Sequence, residues 1–298
     1  MRRIALLGWV LSGLSLMIYA SAGPVLAEAP SPPCGGTEEP CAVATGRYAL
    51  LLPKGSDDQE GPEGGAPAVL FLHGWGSSPR GAVGRLAGGR EILSAGFALI
   101  LPEGVARPGR TQRDWAVRDT ASPHPRDDLA FLEAVLADAA LRGVDRARVL
   151  LAGFSRGGSF VWDVACERPA LFRAFASAAG AFWEPLPETC NGSAALHHSH
   201  GWTDGVVPIE GRSFREGRVV QGNVFESLAL RADMMGCARL PPVREVAAPL
   251  AFRSWTGCAD GARIDFVLHP GGHTVPDWWA GRVVAWFSDR LADATVEP

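Results

Sequence analysis

The chain has 298 residues, 47% of them hydrophobic and 20% charged, with a formal net charge of -4. That balance excludes a disordered acidic chain and a polybasic nucleic-acid binder, so no nucleic-acid partner is expected. Lys54 is the sole lysine, which removes phosphate-loop and Schiff-base lysine chemistry from consideration.

In chain order, Arg2 and Arg3 precede an apolar run from Ile4 to about Ala20, and Val25-Leu26-Ala27 has a small-residue ending. Residues 1–27 therefore read as a cleaved signal peptide, and a secreted or periplasmic protein is expected. Gly8, Ser12, Gly13 and Ser15 dilute the run, which argues against an uncleaved anchor. No membrane association is expected after cleavage. Residues 28–46, rich in Pro, Gly and Glu, read as an N-terminal arm, and residues 47–298 as one catalytic domain.

Tyr48 to Leu52 reads as a short strand. Ala68 to Leu72 is apolar throughout, as a parallel strand buried on both faces should be. Phe97 to Leu101 follows as a strand and Asp127 to Leu141 as a helix. Val149 to Ala152 is a strand, Gly158 to Cys166 a helix, and Phe172 to Ala178 runs into another strand. Leu196 to Ser199 and Ile264 to Leu268 are further strands, and a last helix spans about Trp278 to Leu291. Strands alternating with helices predict an α/β fold with a mainly parallel central sheet and helices on both faces. The longest insertion, between Gly205 and Gly261, holds one helix, Asn223 to Met235, and is expected to carry substrate contacts.

Six cysteines in an exported chain suggest three disulfides. Order and spacing favour Cys34 with Cys41, Cys166 with Cys190 and Cys237 with Cys258, although spacing alone leaves other pairings open. No C-x-x-C pair points to zinc. His197, His198 and His200 are not read as a metal site, because alternation sends His197 and His198 to opposite faces of a strand.

Gly153-Phe154-Ser155-Arg156-Gly157 is a G-x-S-x-G pattern between a strand and a helix. A nucleophile on such a sharp turn needs small neighbours, and the helix N-terminus favours developing negative charge. Asp204 and His273 stand on loops after two later strands. The order Ser155, Asp204, His273 is that of α/β-hydrolase triads, with Ser155 as nucleophile, His273 as base then acid, and Asp204 orienting the imidazole. Asp265 lies inside a strand, Asp260 in a turn, and Asp277 reads as the cap of the last helix, so none displaces Asp204. The oxyanion hole is expected from the N–H groups of Arg156 and Trp75, with Gly74 and Gly76 as alternatives to Trp75. His73 is read as structural. Trp162 and Trp286 read as core. Trp115, Trp183, Trp278 and Trp279 lie in or beside loops at the catalytic face. Trp75 and Trp202, inside the catalytic motifs, are expected to bind substrate.

The motifs H-G-W-G-S-S from His73, G-F-S-R-G-G from Gly153, H-G-W-T-D from His200 and P-G-G-H-T-V-P from Pro270 carry a family likeness. Together they resemble the secreted polyhydroxybutyrate-depolymerase-like and feruloyl-esterase-like branch of the α/β hydrolases, over roughly residues 46–288. The resemblance implies an α/β-hydrolase fold without a large lid domain. It also implies hydrolysis of hydroxyalkanoate or aromatic-acid esters, small or polymeric, through an acyl-enzyme. No metal or organic cofactor is expected, and a monomer suffices. The same triad would serve an amidase or peptidase. A catalytically dead binding protein of this fold would be expected to lack a triad member.

Overall fold

The computed structural model describes residues 34–54, 64–86, 89–118, 123–238 and 243–293. The expected signal peptide, the first part of the expected arm and residues 55–63 lie outside these residues.

Ten strands form the main sheet. In chain order they begin with β1 (Cys41–Val43), β2 (Gly46–Leu51), β3 (Ala66–Leu72) and β4 (Ala98–Pro102). A small hairpin follows, β5 (Val105–Ala106) with β6 (Arg113–Asp114), and then come β7 (Val144–Phe154), β8 (Ala174–Ala178) and β9 (Leu196–Gly201). A second small hairpin, β10 (Arg212–Phe214) with β11 (Val219–Gln221), precedes β12 (Val243–Ala247), β13 (Leu250–Trp255) and β14 (Ile264–His269). The sheet order is β1-β2-β4-β3-β7-β8-β9-β14-β13-β12. The strands from β4 across to β14 pair in parallel, and each flank is antiparallel.

Six helices accompany the strands among the described residues: α1 (Pro79–Arg85), α2 (Gly89–Ser94), α3 (Asp128–Ala140), α4 (Arg156–Glu167), α5 (Val224–Met234) and α6 (Trp279–Asp293). The period of two along the strands sorts them onto two faces. Leu70, Leu72, Val149 and Leu151 join the core that includes Phe131 and Leu132 of α3 and Trp162 of α4. Val69, Phe71, Leu150 and Ala152 join the opposite core with Ile92 of α2 and Trp279, Val283 and Phe287 of α6. Burial on both faces is why these strands read as unbroken apolar runs.

Local signals explain several boundaries. Asp127 caps α3, its side chain accepting the Ala130 N–H at 3.1 Å. Asn223 caps α5, accepting from Phe225 and Glu226. Asp277 does not begin the last helix: α6 starts at Trp279, whose N–H is taken by the Pro276 carbonyl. The backbone turn supplies the acceptor that a side-chain cap would otherwise provide.

The insertion holds more than its helix. It adds the hairpin β12–β13 to the sheet edge and places β10–β11 apart from the sheet. Disulfides join Cys34 to Cys41, Cys166 at the end of α4 to Cys190, and Cys237 after α5 to Cys258 after β13.

Candidate active site

The site lies where β3, β7, β9 and β14 end. Strand β3 has β4 on one side and β7 on the other, so the order of the sheet reverses there. The carboxyl ends of strands at such a switch point leave a crevice between diverging loops.

Ser155 links β7 to α4 with φ 55° and ψ -121°. This is a strained backbone for a residue with a β-carbon, held by the bond from the Ser155 N–H to the Ala178 carbonyl at 2.9 Å. The flanking glycines allow the turn. A β-carbon on Gly153 would stand 2.6 Å from the Gly157 backbone, and one on Gly157 would stand 2.6 Å from the His73 carbonyl. A side chain at Gly153 would push the start of α4 off the end of β7, and one at Gly157 would push it off the end of β3. The G-x-S-x-G spacing is thus a packing condition that brings the helix start against the loop after β3.

The residues that follow β9 and β14 meet Ser155. His273 Nε2 is 2.8 Å from Ser155 Oγ, and His273 Nδ1 is 2.8 Å from Asp204 Oδ2. The second carboxylate oxygen of Asp204 accepts the N–H groups of Val206 and Val207, each at 2.8 Å. Burial alone would raise the Asp204 carboxyl, but the hydrogen bonds from His273 and these amides outweigh it and hold the group below its usual range. The ring of Phe154 packs against His273, centroids 4.8 Å apart. Asp265 and Asp260 stand elsewhere: Asp265 accepts from Ser254, Arg263 and Trp286, and Asp260 lies in a short turn.

The loop after β3 is fixed from beneath by His73. Its Nδ1 donates to the Gly74 carbonyl at 2.8 Å, and its Nε2 accepts the Gly104 N–H at 3.1 Å. Burial pushes this imidazole down to about 4, so it is a neutral spacer. The Gly76 N–H is taken by the Arg113 carbonyl. The Trp75 N–H makes no hydrogen bond to any described residue, which leaves it, and not Gly76, available to a ligand beside Ser155.

A cleft of about 540 Å³ opens at Ser155. Trp75, Arg156 and Trp183 line it together with Asp114 and with Arg212 and Phe214 from the insertion. Trp202 is 63% exposed and is not among the lining residues, contrary to the expectation that it borders the pocket. Its side chain points out to solvent from the turn after β9. Trp115 is also no pocket residue. It is fully buried and donates to the His73 carbonyl at 2.8 Å, so it supports the same loop. Trp279 belongs to the core under the sheet.

Arg156 has a partner that the local sequence did not indicate. Its Nε donates to Asp114 at 2.7 Å, and Arg107 donates to the same carboxylate at 2.8 Å. Burial would raise Asp114, but the two guanidiniums and the Trp115 N–H keep it ionised, below its usual value. The other side of Arg156 lies 4.8 Å from the Trp183 ring. Trp183 stacks on Phe214 at 6.0 Å, and Arg212 covers Phe214 at 4.2 Å. Arg212 also donates to the Gly205 and Val206 carbonyls, next to Asp204. One cleft wall is therefore an alternation of cation and ring. Its members are far apart in sequence, and the nearest signal was the tryptophan-rich composition.

His197 and His198 point to opposite faces, toward Trp286 and Trp162 respectively. Burial keeps both neutral, His197 near 4. No group of residues able to hold a metal ion occurs among the described residues.

Comparison with known proteins bears on this geometry. No family model matches the chain. A probable feruloyl esterase C from Aspergillus terreus is 26% identical over 233 residues, 72% of this chain and 76% of the relative. Feruloyl esterase C from Emericella nidulans is 28% identical over 166 residues, 51% of this chain and 55% of the relative. Among solved structures, the Bacillus cereus carboxylesterase matches with a TM-score of 0.53 at 14% identity, covering 83% of this chain and 95% of its own. Acetyl xylan esterase from Aspergillus awamori matches with a TM-score of 0.56 at 15% identity, covering 81% and 93%. These structural likenesses establish the fold.

Proposed function

We propose, for a chain that sits in the esterase-like branch of the α/β hydrolases, that it hydrolyses carboxylic esters through Ser155, His273 and Asp204. The observation that carries the reading is the unbroken hydrogen-bonded line from Ser155 Oγ through both ring nitrogens of His273 to Asp204. His273 Nε2 takes the serine proton as Oγ attacks the ester carbonyl. The N–H groups of Trp75 and Arg156 receive the oxyanion, each worth about 3 kcal/mol in the transition state. His273 then protonates the departing alcohol, and a water activated by the same nitrogen releases the acid from Ser155. Asp204, kept ionised by its amide donors, stabilises the imidazolium at both stages.

An aromatic acid is the favoured acyl group. Trp183 and Phe214 border the cleft beside Ser155, and ring edges make favourable edge-to-face contacts with an aromatic group. The relatives named feruloyl esterase agree with this choice. We also propose that the protein acts after export. Three disulfides fit an oxidising compartment, as does the leader-like N-terminal sequence.

The test is a hydrolysis panel on the oxidised protein with methyl ferulate, p-nitrophenyl acetate and butyrate, a hydroxybutyrate oligomer and a peptide anilide. Ferulate turnover is expected to lead, and Ser155→Ala should lower kcat by roughly 10⁴-fold or more while the fold is retained. Preference for the anilide, or turnover unchanged in Ser155→Ala, would overturn the reading.

A further inference from the structure

Five guanidiniums and one carboxylate line the cleft among the described residues. Three of the five are engaged. Arg107 and Arg156 share Asp114, and Arg212 donates to the Gly205 and Val206 carbonyls. Arg110 and Arg215 are different. Each is exposed, each borders the cleft, and neither guanidinium has a hydrogen bond or ion pair with any described residue. Arg215 reaches the cleft from the turn between β10 and β11, where its backbone takes φ 48°. Arg110 comes from a different hairpin, on the loop between β5 and β6. Two uncompensated cations thus face one cavity from separate loops, and the cavity's one carboxylate is already held by two other arginines.

The geometry points to an ester that carries its own carboxylate as the preferred substrate, with Arg110 and Arg215 receiving that charge while the acyl group occupies the space beside Ser155. This rests on the ester-hydrolase reading above and narrows its substrate class. A planar guanidinium offers paired donors matched to a carboxylate. A cleft lined by one sign of charge also concentrates substrates of the other sign and speeds their capture. The carboxylate can reside on the alcohol or on the acid portion, and the experiment separates the two.

The test uses isosteric pairs, in which an amide replaces the carboxylate without changing its shape. Carboxymethyl ferulate against carbamoylmethyl ferulate places the charge on the alcohol. Monomethyl isophthalate against methyl 3-carbamoylbenzoate places it on the acid. In at least one pair the charged ester should have a kcat/KM about fivefold or more above its amide partner at low ionic strength. Added salt should shrink that advantage. The Arg110→Gln/Arg215→Gln double variant should bring the charged-to-neutral ratio toward unity; the ratio is the readout, not the absolute rate. Turnover of the neutral member reports on the ester-hydrolase reading separately. If neither member is hydrolysed, the same pairs are titrated calorimetrically into Ser155→Ala protein, where tighter binding of the charged member is expected. Preference for the amide partner in both pairs, or a ratio unchanged in the double variant, would overturn the proposal.

Discussion

The two sides of the cleft are built on different physics. On the serine side, backbone meets backbone: Gly153 and Gly157 let the start of α4 close on the ends of β7 and β3. On the opposite wall, side chains do the building: Asp114, Arg107 and Arg156 form a buried ion cluster, and Arg156, Trp183, Phe214 and Arg212 pack one on the next. The first design tolerates almost no added atom. The second depends on charge neutralisation and ring stacking.

Gly157→Ala attacks the serine side and should have the largest effect on activity. Its methyl would stand against the His73 carbonyl, so the elbow must shift. A displacement of about 1 Å near reacting groups costs on the order of 100-fold in rate. Single-turnover kinetics with an activated ester would measure it, and near-normal turnover would refute the packing account. Asp114→Asn attacks the other wall. It leaves two buried guanidiniums sharing a neutral amide, and breaking a buried pair this way costs roughly 3–5 kcal/mol. Denaturant unfolding should show that loss, and substrate KM should rise more than kcat falls.

Acid should loosen the fold, because His73 under the loop after β3 and His197 against Trp286 are buried neutral rings. His73 and His197 have folded values near 4, below the ordinary 6.5. The unfolded chain therefore gains protons first, and the stability these groups contribute is present above pH 6.5 and lost as pH falls toward 4. In an Asp163→Asn background, where no opposing buried carboxyl titrates, the unfolding midpoint should drop across that window. A midpoint flat between pH 7 and 4 in that background would count against buried neutral rings. Asp163, in α4 behind the wall, titrates in the opposite sense. Burial raises its carboxyl to about 8, and one oxygen has no partner. Its contribution is full below pH 3.8 and lost as pH rises through 8. Asp163→Asn should raise Tm at pH 8 and change little at pH 4. A variant less stable at pH 8 would mean that the carboxylate is paired after all.

The core strands, the main helices and the Ser155–Asp204–His273 set were legible in the sequence, because each rests on a local rule. Apolar runs mark strands buried on both faces, Asp127 and Asn223 mark helix starts, and close-packed glycines mark the elbow. The wall was not legible. Asp114 finds Arg156 across 42 positions, and Trp183 meets Phe214 only because β10–β11 folds away from the sheet. Trp202, which shares a motif with Asp204, was expected in the pocket and turns outward. Motif membership sets where a backbone goes, and packing sets where a side chain points. The sequence by itself determined the class of fold and pointed to the three residues that meet at the cleft, since periodicity and glycine spacing act over a few residues. Only the tertiary structure decided which charges are neutralised and which remain open to a ligand, because pairing between distant side chains depends on how the loops meet in space.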